Sequence, residues 1–262
     1  MSKCAKHCPE IAPNDAQNAI DPGRRRLLAG AGALTTLMLA PGVSLMMSGA
    51  VEARPAGVAA SAKIRWGILI DVSKCPDGCD LCVTACKDEN GWQETGRAET
   101  NVQWIRKVTL KDKNTGAIKT LPFMCQHCAE PPCVDVCPTG ASFKRADGIV
   151  LVDKHTCIGC RYCMMACPYA ARSFVHEQVT NQKPHAPRGK GTVESCTMCV
   201  HRVDKGQIPA CVEACTKAGN RTMIFGDLND PNSEIAKAAG QHLTTRIRAD
   251  LGLDPGILYS GL

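Results

Sequence analysis

Sixteen of the 18 cysteines in this 262-residue chain fall into four groups of four, and each group ends in a Cys-x3-Cys pair. The groups span residues 75–86, 125–137, 157–167 and 196–215. In the third group, Cys157, Cys160 and Cys163 are followed by Cys167 and Pro168. This is the ligand spacing of a bacterial [4Fe–4S] site, in which three close thiolates hold one cubane and the fourth ligates another. The chain is therefore predicted to fold around iron–sulfur clusters.

Two other cysteine chemistries compete with this prediction. Structural zinc sites also use Cys-x2-Cys pairs, but usually as two pairs separated by a longer loop. Disulfide frameworks are common in exported, cysteine-rich chains. Three candidate ligands within residues 157–163 suit a cubane better than a zinc ion, and Gly159 permits the tight turn that such a loop requires.

The N-terminal residues predict export. Arg24, Arg25 and Arg26 precede an apolar stretch rich in Ala, Gly and Leu that runs from Leu27 to about Val51. This pattern is typical of a twin-arginine signal peptide, predicted here over residues 1–53, although the same stretch could serve as a single transmembrane anchor. Because the twin-arginine translocase exports folded proteins, clusters could be inserted in the reducing cytoplasm first. This route argues against a disulfide framework.

Composition narrows the function further. Only 4% of residues are aromatic, so metal clusters are expected to replace part of a conventional core. The formal net charge of +6 favours anionic partners, but each cluster with four thiolates adds roughly −2, and a nucleic-acid partner is therefore excluded. No Cys-x-x-Cys-His sequence exists for covalent haem, and no catalytic triad or carboxylate pair can be assigned.

The regular structure predicted between the cysteine groups consists mainly of short strands. The predicted elements are a strand at 63–72, a hairpin at 102–121 with a turn at 114–116, a hairpin at 143–153, a strand at 221–228, and a helix starting near 230–235. The second hairpin turns at Asp147-Gly148, a strong turn signal. The segment 241–262 contains no apolar run long enough to cross a membrane.

In order and spacing, including the eleven-residue gap between Cys199 and Cys211, the groups resemble the four-cluster iron–sulfur subunits of the dimethyl-sulfoxide-reductase, formate-dehydrogenase and nitrate-reductase type. The resemblance implies an α+β fold: a tandem, duplicated bacterial-ferredoxin-like domain with β-hairpin insertions, little regular structure and a cluster-centred core. It also implies four [4Fe–4S] clusters, with the first cysteine group paired with the fourth and the second with the third.

The resemblance assigns four ligands to each cluster. They are Cys75, Cys79, Cys82 and Cys215 for cluster 1; Cys125, Cys128, Cys133 and Cys167 for cluster 2; Cys137, Cys157, Cys160 and Cys163 for cluster 3; and Cys86, Cys196, Cys199 and Cys211 for cluster 4. The implied domains are one ferredoxin-like unit of residues 54–124 plus 190–230, a second unit of residues 125–189, and a docking tail of residues 231–262.

Four segments are similar to the exported ferredoxin-like subunits of membrane-bound Dsr sulfur-metabolism complexes. They are residues 125–133, 143–150, 157–163 and 225–233. This implies a non-enzymatic electron carrier in the periplasm, peripheral to the outer face of the cytoplasmic membrane. Its implied partners are an integral membrane quinone-reactive subunit and a multihaem cytochrome c. The alternative is the iron–sulfur subunit of a periplasmic molybdopterin oxidoreductase acting on polysulfide or tetrathionate.

A few other residues are candidates for tuning the clusters. Lys87, Arg161 and Lys217 each stand beside a predicted ligand. They either raise the reduction potential of the cluster that the ligand holds or are ordinary surface charges. Trp92, Trp104 and His127 are candidate cluster neighbours, with core packing or a local hydrogen bond as the simpler explanation. Cys4 and Cys8 precede the predicted export signal and are expected to belong to a disposable leader.

Overall fold

The computed structural model describes residues 58–180 and 182–262, so the predicted signal peptide, Cys4 and Cys8 lie outside the described residues. The strands are β1 (Trp66–Asp71), β2 (Ile105–Lys111), β3 (Ile118–Met124), β4 (Ser142–Lys144), β5 (Val150–Val152), β6 (Ser173–Phe174), β7 (Val193–Glu194), β8 (Met223–Asp227), β9 (Thr244–Thr245) and β10 (Ile257–Ser260). The helices are α1 (Leu81–Asn90), α2 (Pro132–Asp135), α3 (Tyr162–Met165), α4 (Val200–Val203), α5 (Ala210–Lys217) and α6 (Glu234–Gln241), with 3-10 turns at Val72–Lys74 and Ala249–Leu251.

A four-stranded sheet in the order β8-β1-β10-β9 forms the largest regular element of the described residues. Strand β1 pairs antiparallel with β8 and parallel with β10. Its apolar run Ile68-Leu69-Ile70 is buried on both faces, which explains why it lacks the alternation of a half-exposed strand. Ile68 and Ile70 belong to the main core, whereas Leu69 packs with Ile235 of α6. The predicted strand at 63–72 is confirmed.

Helix α6 covers the second face of this sheet. It begins after Ser233, whose hydroxyl accepts a hydrogen bond from the Ala236 N–H at 3.2 Å, so it has the N-cap that Ser residues favour. Ile235 is fully buried, and a Cβ at Gly226 would lie 2.9 Å from its Cγ2 atom. A glycine in β8 is therefore what lets the helix approach the sheet closely. The helix predicted near residues 230–235 is confirmed.

Both predicted hairpins are present. Strands β2 and β3 pair antiparallel from Ile105 opposite Met124 outward to Lys111 opposite Ile118, and β4 pairs antiparallel with β5. The first hairpin closes at Asp112, whose carboxylate accepts the N–H groups of the two residues at 114 and 115 at 2.7 and 2.8 Å. The second turns at Gly148, which has a φ of +86°.

The structure adds five helices that the sequence did not predict, and the two longest of them, α1 and α5, pack against each other. It also gives the segment 231–262 a structural role. Strand β10 lies buried between β1 and β9, so this part of the predicted docking tail is an inner strand of the central sheet. Docking by the rest of the segment stays a prediction. Across the described residues, no helix is both long and apolar enough to span a bilayer.

Candidate iron–sulfur sites

The structure gathers the sixteen described cysteines, all of them free, into four sets. Site 1 is lined by Cys75, Cys79, Cys82 and Cys215; site 3 by Cys137, Cys157, Cys160 and Cys163; site 4 by Cys86, Cys196, Cys199 and Cys211; and in site 2 Cys128 lies near Cys125, Cys133 and Cys167. Each set brings together the ligands that the family resemblance implies for the cluster of the same number. Ligation itself stays a prediction.

Helical geometry explains how α1 and α5 serve two sites each. Cys82 and Cys86 are four residues apart on α1, and Cys211 and Cys215 are four apart on α5, so each pair lies on one face of its helix. Cys82 and Cys215 belong to site 1, while the other two belong to site 4. The packed helices α1 and α5 therefore form a shared wall between the two sites.

Sites 2 and 3 are built instead from loops and the four-residue helices α2 and α3. The loop of site 3 turns at Gly159, which has a φ of +71°. A Cβ there would lie 2.1 Å from the Gly191 carbonyl oxygen, so only glycine fits. The prediction that this position requires glycine is confirmed.

The four sites follow one another in a row. Sites 1 and 4 are neighbours because both are lined by cysteines of α1 and α5. Met124, which precedes Cys125 of site 2, lines site 4. Cys133 of site 2 and Cys163 of site 3 pack in one small core. The order is therefore 1, 4, 2 and 3, and Cys160, the one exposed cysteine among the described residues, lies at one end.

Burial makes the thiolates at these sites unfavourable without a counter-charge. Burial raises the pKa of Cys86, Cys125 and Cys128 to about 12 and that of Cys82 to about 11. A metal must supply positive charge for such thiols to ionise at neutral pH. Four soft sulfur donors per site and largely apolar surroundings suit an iron–sulfur cluster, so the residues present fit this cofactor.

Hydrogen-bond donors contact several of these sulfurs. The backbone N–H groups of Ser142, Met198 and Val193 donate to Cys137, Cys196 and Cys157 at 3.3, 3.3 and 3.5 Å, and the side chains of Lys107, Arg172 and Trp92 donate to Cys75, Cys133 and Cys86 at 2.8, 3.0 and 3.3 Å. Donors to cluster sulfurs stabilise added negative charge and raise reduction potentials.

The charges that the sequence offered as tuning residues have other partners. Lys87 pairs with Glu94 and lies 5.3 Å from the centre of the Trp92 ring, and Lys217 pairs with Glu213 at 2.6 Å. Arg161 stacks over the Phe174 ring at 4.9 Å. The cations that do contact ligand sulfurs are Lys107 and Arg172, which lie 32 and 39 residues from those cysteines. No local sequence signal marked them.

Of the other three candidate cluster neighbours, Trp92 contacts a proposed ligand, whereas Trp104 and His127 make hydrogen bonds to other residues. Trp92 is buried and donates to a sulfur of site 4, whereas Trp104 donates to Glu194 at 3.0 Å. His127 is buried, and its Nδ1 atom accepts the Val150 N–H at 3.0 Å. Burial lowers the pKa of His127 to about 3, so its ring is neutral. The proton therefore lies on Nε2, which has no partner among the described residues.

Glu89, His185 and His201 form a polar group beside site 4 that the sequence did not predict. His201 Nε2 lies 2.7 Å from a Glu89 carboxylate oxygen, and the two imidazole rings stack with centroids 4.0 Å apart. His185 Nε2 lies 2.8 Å from the Glu89 carbonyl oxygen, and Arg202 pairs with the second carboxylate oxygen at 3.2 Å. Hydrogen bonds within the protein thus link the segments that carry these three residues, and we assign the group a structural role.

Comparisons with known proteins point to the same cofactor. Two family models, both described as a 4Fe-4S dicluster domain, match residues 50–141 and 116–228. The Hdr-like menaquinol oxidoreductase iron-sulfur subunit 1 of Archaeoglobus fulgidus is 44% identical over 227 residues, covering 76% of this chain and 84% of its own. A tetrathionate reductase subunit of Salmonella typhimurium is 40% identical over 204 residues, covering 77% and 74%. Protein NrfC of Escherichia coli is 40% identical over 195 residues, covering 73% and 78%.

Two dicluster domains correspond to four [4Fe–4S] clusters, so the predicted cofactor content is confirmed. The two matched segments are contiguous in sequence and share residues 116–141. The structure, by contrast, pairs the first cysteine group with the fourth and the second with the third. The pairing of cysteine groups is therefore nested: groups two and three pair with each other and lie in sequence between groups one and four, which also pair.

Proposed function

Because this chain belongs to the family of ferredoxin-type iron–sulfur subunits of multi-subunit redox complexes, an electron-transfer rather than a catalytic family, we propose that it carries electrons along four clusters between two partner proteins. The observation that carries the proposal is the row of four cysteine sets in the order 1, 4, 2 and 3. When bound, each cluster accepts and releases one electron. The protein holds the clusters in line and keeps water from most of them.

Sites 1 to 4 each hold one [4Fe–4S] cluster through the four cysteines that line the site. The main support is the agreement between the four spatial sets and four complete ligand groups, with no cysteine of the described residues left over. The two terminal sites are the more accessible ones. At site 3, Ile158, Tyr162 and Met165 are exposed around the exposed Cys160, which gives a partner an apolar surface next to a ligand.

For the partners, we propose a DsrO-type role in a DsrMKJOP-type sulfur-metabolism complex. In this role, the chain relays electrons between a quinone-reactive integral membrane subunit and a periplasmic multihaem cytochrome c. The 44% identity to a subunit of a menaquinol oxidoreductase supports the link to a quinol. The arginine run and apolar stretch of residues 24–51 support export by the twin-arginine translocase to the periplasmic face of the membrane.

A second candidate keeps the same row of clusters but changes the partner at its end. The 40% identity to a tetrathionate reductase subunit supports an iron–sulfur chain that serves a periplasmic molybdopterin oxidoreductase of the polysulfide or tetrathionate type. The cysteine sets fit either complex, because both require only a row of clusters.

Two measurements test these proposals. Iron and sulfide analysis with EPR of the anaerobically reduced, purified protein is expected to give about sixteen irons per chain and coupled cubane signals. About four irons, or bound zinc, would contradict the cluster assignment. Affinity purification from native membranes then separates the two complexes: covalently bound haem in the eluate supports the first, and stoichiometric molybdenum the second. A protein that elutes alone at its monomer mass would exclude both.

A further inference from the structure

Arg172 is a buried cation without a carboxylate partner among the described residues. It lies just before β6 and is only 5% exposed. The other buried arginine, Arg188, donates to both carboxylate oxygens of Glu194 at 3.0 Å. The half-buried Arg145 donates to Asp204 at 2.8 and 3.0 Å. Arg172 is therefore the exception, and its positive charge needs an anionic neighbour.

The Arg172 side chain lies between two cysteine sets. Its Nη2 atom donates to the Sγ atom of Cys133 in site 2 at 3.0 Å, and Cys163 of site 3 is among the cysteines whose charges raise the pKa of the guanidinium. The remaining nitrogens, Nε and Nη1, are buried and have no partner among the described residues. Of the three guanidinium nitrogens, therefore, only Nη2 has an acceptor among the described residues.

A buried, unpaired charge strongly destabilises a protein, and buried polar atoms are normally hydrogen-bonded. A cluster with four thiolate ligands carries net negative charge, and its inorganic sulfides accept hydrogen bonds. Such a group at sites 2 and 3 satisfies both requirements of Arg172 at once.

We propose that Arg172 is a tuning residue shared by the clusters at sites 2 and 3, to which it donates hydrogen bonds and whose reduction potentials its charge raises. The inference rests on the ligand sets proposed above. Reduction adds a negative charge to a cluster, so a fixed cation nearby favours the reduced form. An electron moving from site 4 toward site 3 is thereby stabilised at the last two positions of the row.

The test is redox titration, monitored by EPR, of the anaerobically purified full-length holoprotein carrying Arg172→Gln or Arg172→Lys. The glutamine variant keeps a donor but loses the charge. It is expected to retain about sixteen irons while two of the four reduction equilibrium constants fall by about tenfold or more, which is about 59 mV per tenfold for one electron. The lysine variant keeps the charge, so its two reduction potentials are expected to fall by less than half as much as those of the glutamine variant.

The matched control is Lys217→Gln, which removes an exposed cation that stands beside Cys215 but pairs with Glu213. It is expected to leave all four potentials unchanged. Four unchanged potentials in a fully loaded Arg172→Gln protein would overturn the proposal. Loss of iron from all variants would instead count against the ligand sets, so the two failures are distinguishable.

A second measurement does not depend on whether the glutamine variant loads its clusters. Wild-type protein labelled with ¹⁵N-arginine is expected to show ¹⁵N coupling to the reduced clusters in pulsed EPR. The coupling should disappear in similarly labelled Arg172→Lys protein. Absence of the coupling in the wild type, or its persistence in the lysine variant, would contradict the proposed contact.

Discussion

The half of the molecule that holds sites 1 and 4 and the half that holds sites 2 and 3 use similar cysteine spacings on unequal scaffolds. In the first half, four of the eight proposed ligands lie on the ten-residue α1 and the eight-residue α5, which pack near the four-stranded sheet. In the second, the helices α2 and α3 have four residues each, and β4 and β5 have three. The spacing of cysteines therefore does not determine how much regular structure supports them.

The two halves also differ in their cores. The main core includes Ile68, Ile70 and Tyr259 of the central sheet, which are at most 1% exposed. The small core beside sites 2 and 3 contains four buried residues, and two of them, Cys133 and Cys163, are proposed ligands. Ile149, Tyr169 and Ala171 of this half join the main core, but half of the small core consists of proposed ligands, so cluster binding is expected to supply much of the free energy that stabilises it. We therefore expect the two halves to respond differently to loss of iron and to substitutions in their loops and cores.

The largest expected effect comes from Gly159→Ala. The new Cβ would collide with the Gly191 carbonyl, so the site 3 loop cannot close, and the variant is expected to lose about four of sixteen irons. Gly78→Ala is the matched control in the site 1 loop: Gly78 has a φ of +70° but no atom within 4 Å of the added Cβ. It should retain full iron content at a backbone cost of about 1–2 kcal/mol. Equal iron contents in the two variants would contradict the steric explanation.

Removal of iron is the second test of the comparison. In the apoprotein, amides of α2, β5 and α3 are expected to lose nearly all protection from hydrogen exchange, because the small core that these elements form includes the proposed ligands Cys133 and Cys163. Amides of β1, β8 and β10 are expected to keep measurable protection. Uniform loss of protection would show that the clusters stabilise both halves equally.

A truncation in the core of the central sheet tests whether the half that holds sites 2 and 3 depends on that sheet for its stability. Ile68→Ala removes a fully buried side chain from the central sheet and is expected to destabilise that sheet by about 2–5 kcal/mol. Hydrogen exchange of β1 amides in the holoprotein measures the change. The control, Ile118→Ala, alters a side chain that is 65% exposed and should change stability by less than about 0.5 kcal/mol. An equal loss of protection in residues 125–175 would indicate that the two halves unfold together.

The smallest expected effect is Trp92→Phe, which removes the N–H donor to Cys86 and keeps the buried aromatic ring. One reduction potential should fall, by less than about 59 mV, the value for a tenfold change in the equilibrium constant. Trp104→Phe, which removes a donor to Glu194, is expected to leave the potentials unchanged. Equal shifts in both variants would show that the indole N–H of Trp92 does not tune site 4.

Local signals predicted the parts of the fold that local interactions determine. The turns at Asn114-Thr-Gly116 and Asp147-Gly148 identified both hairpins, and the segment 230–235 marked the start of α6. Helix α1 was missed because its buried positions are Cys82, Cys86 and Asn90, so metal ligands stand where an apolar stripe would reveal a helix. Their spacing at i, i+4 and i+8 was the available signal.

The features that the sequence could not predict depend on contacts between distant segments. Strand β10 pairs with β1 across most of the chain, and its four residues carry no long pattern. Within the sites, the spacing of cysteines gave each group of ligands, whereas their pairing came only from a family resemblance. The contact of Lys107 with Cys75, like that of Arg172 with Cys133, arises from the folded path of the chain.

The parallel pairing of Ile68 with Ile257 has a consequence for biosynthesis. The ribosome makes β1 long before it makes either of the strands that flank it, so the apolar run Ile68-Leu69-Ile70 emerges with both hydrogen-bonding edges unpaired. Such a strand is prone to aggregate until it is covered. The nascent chain therefore needs protection from aggregation until the strands β8 and β10 have been made.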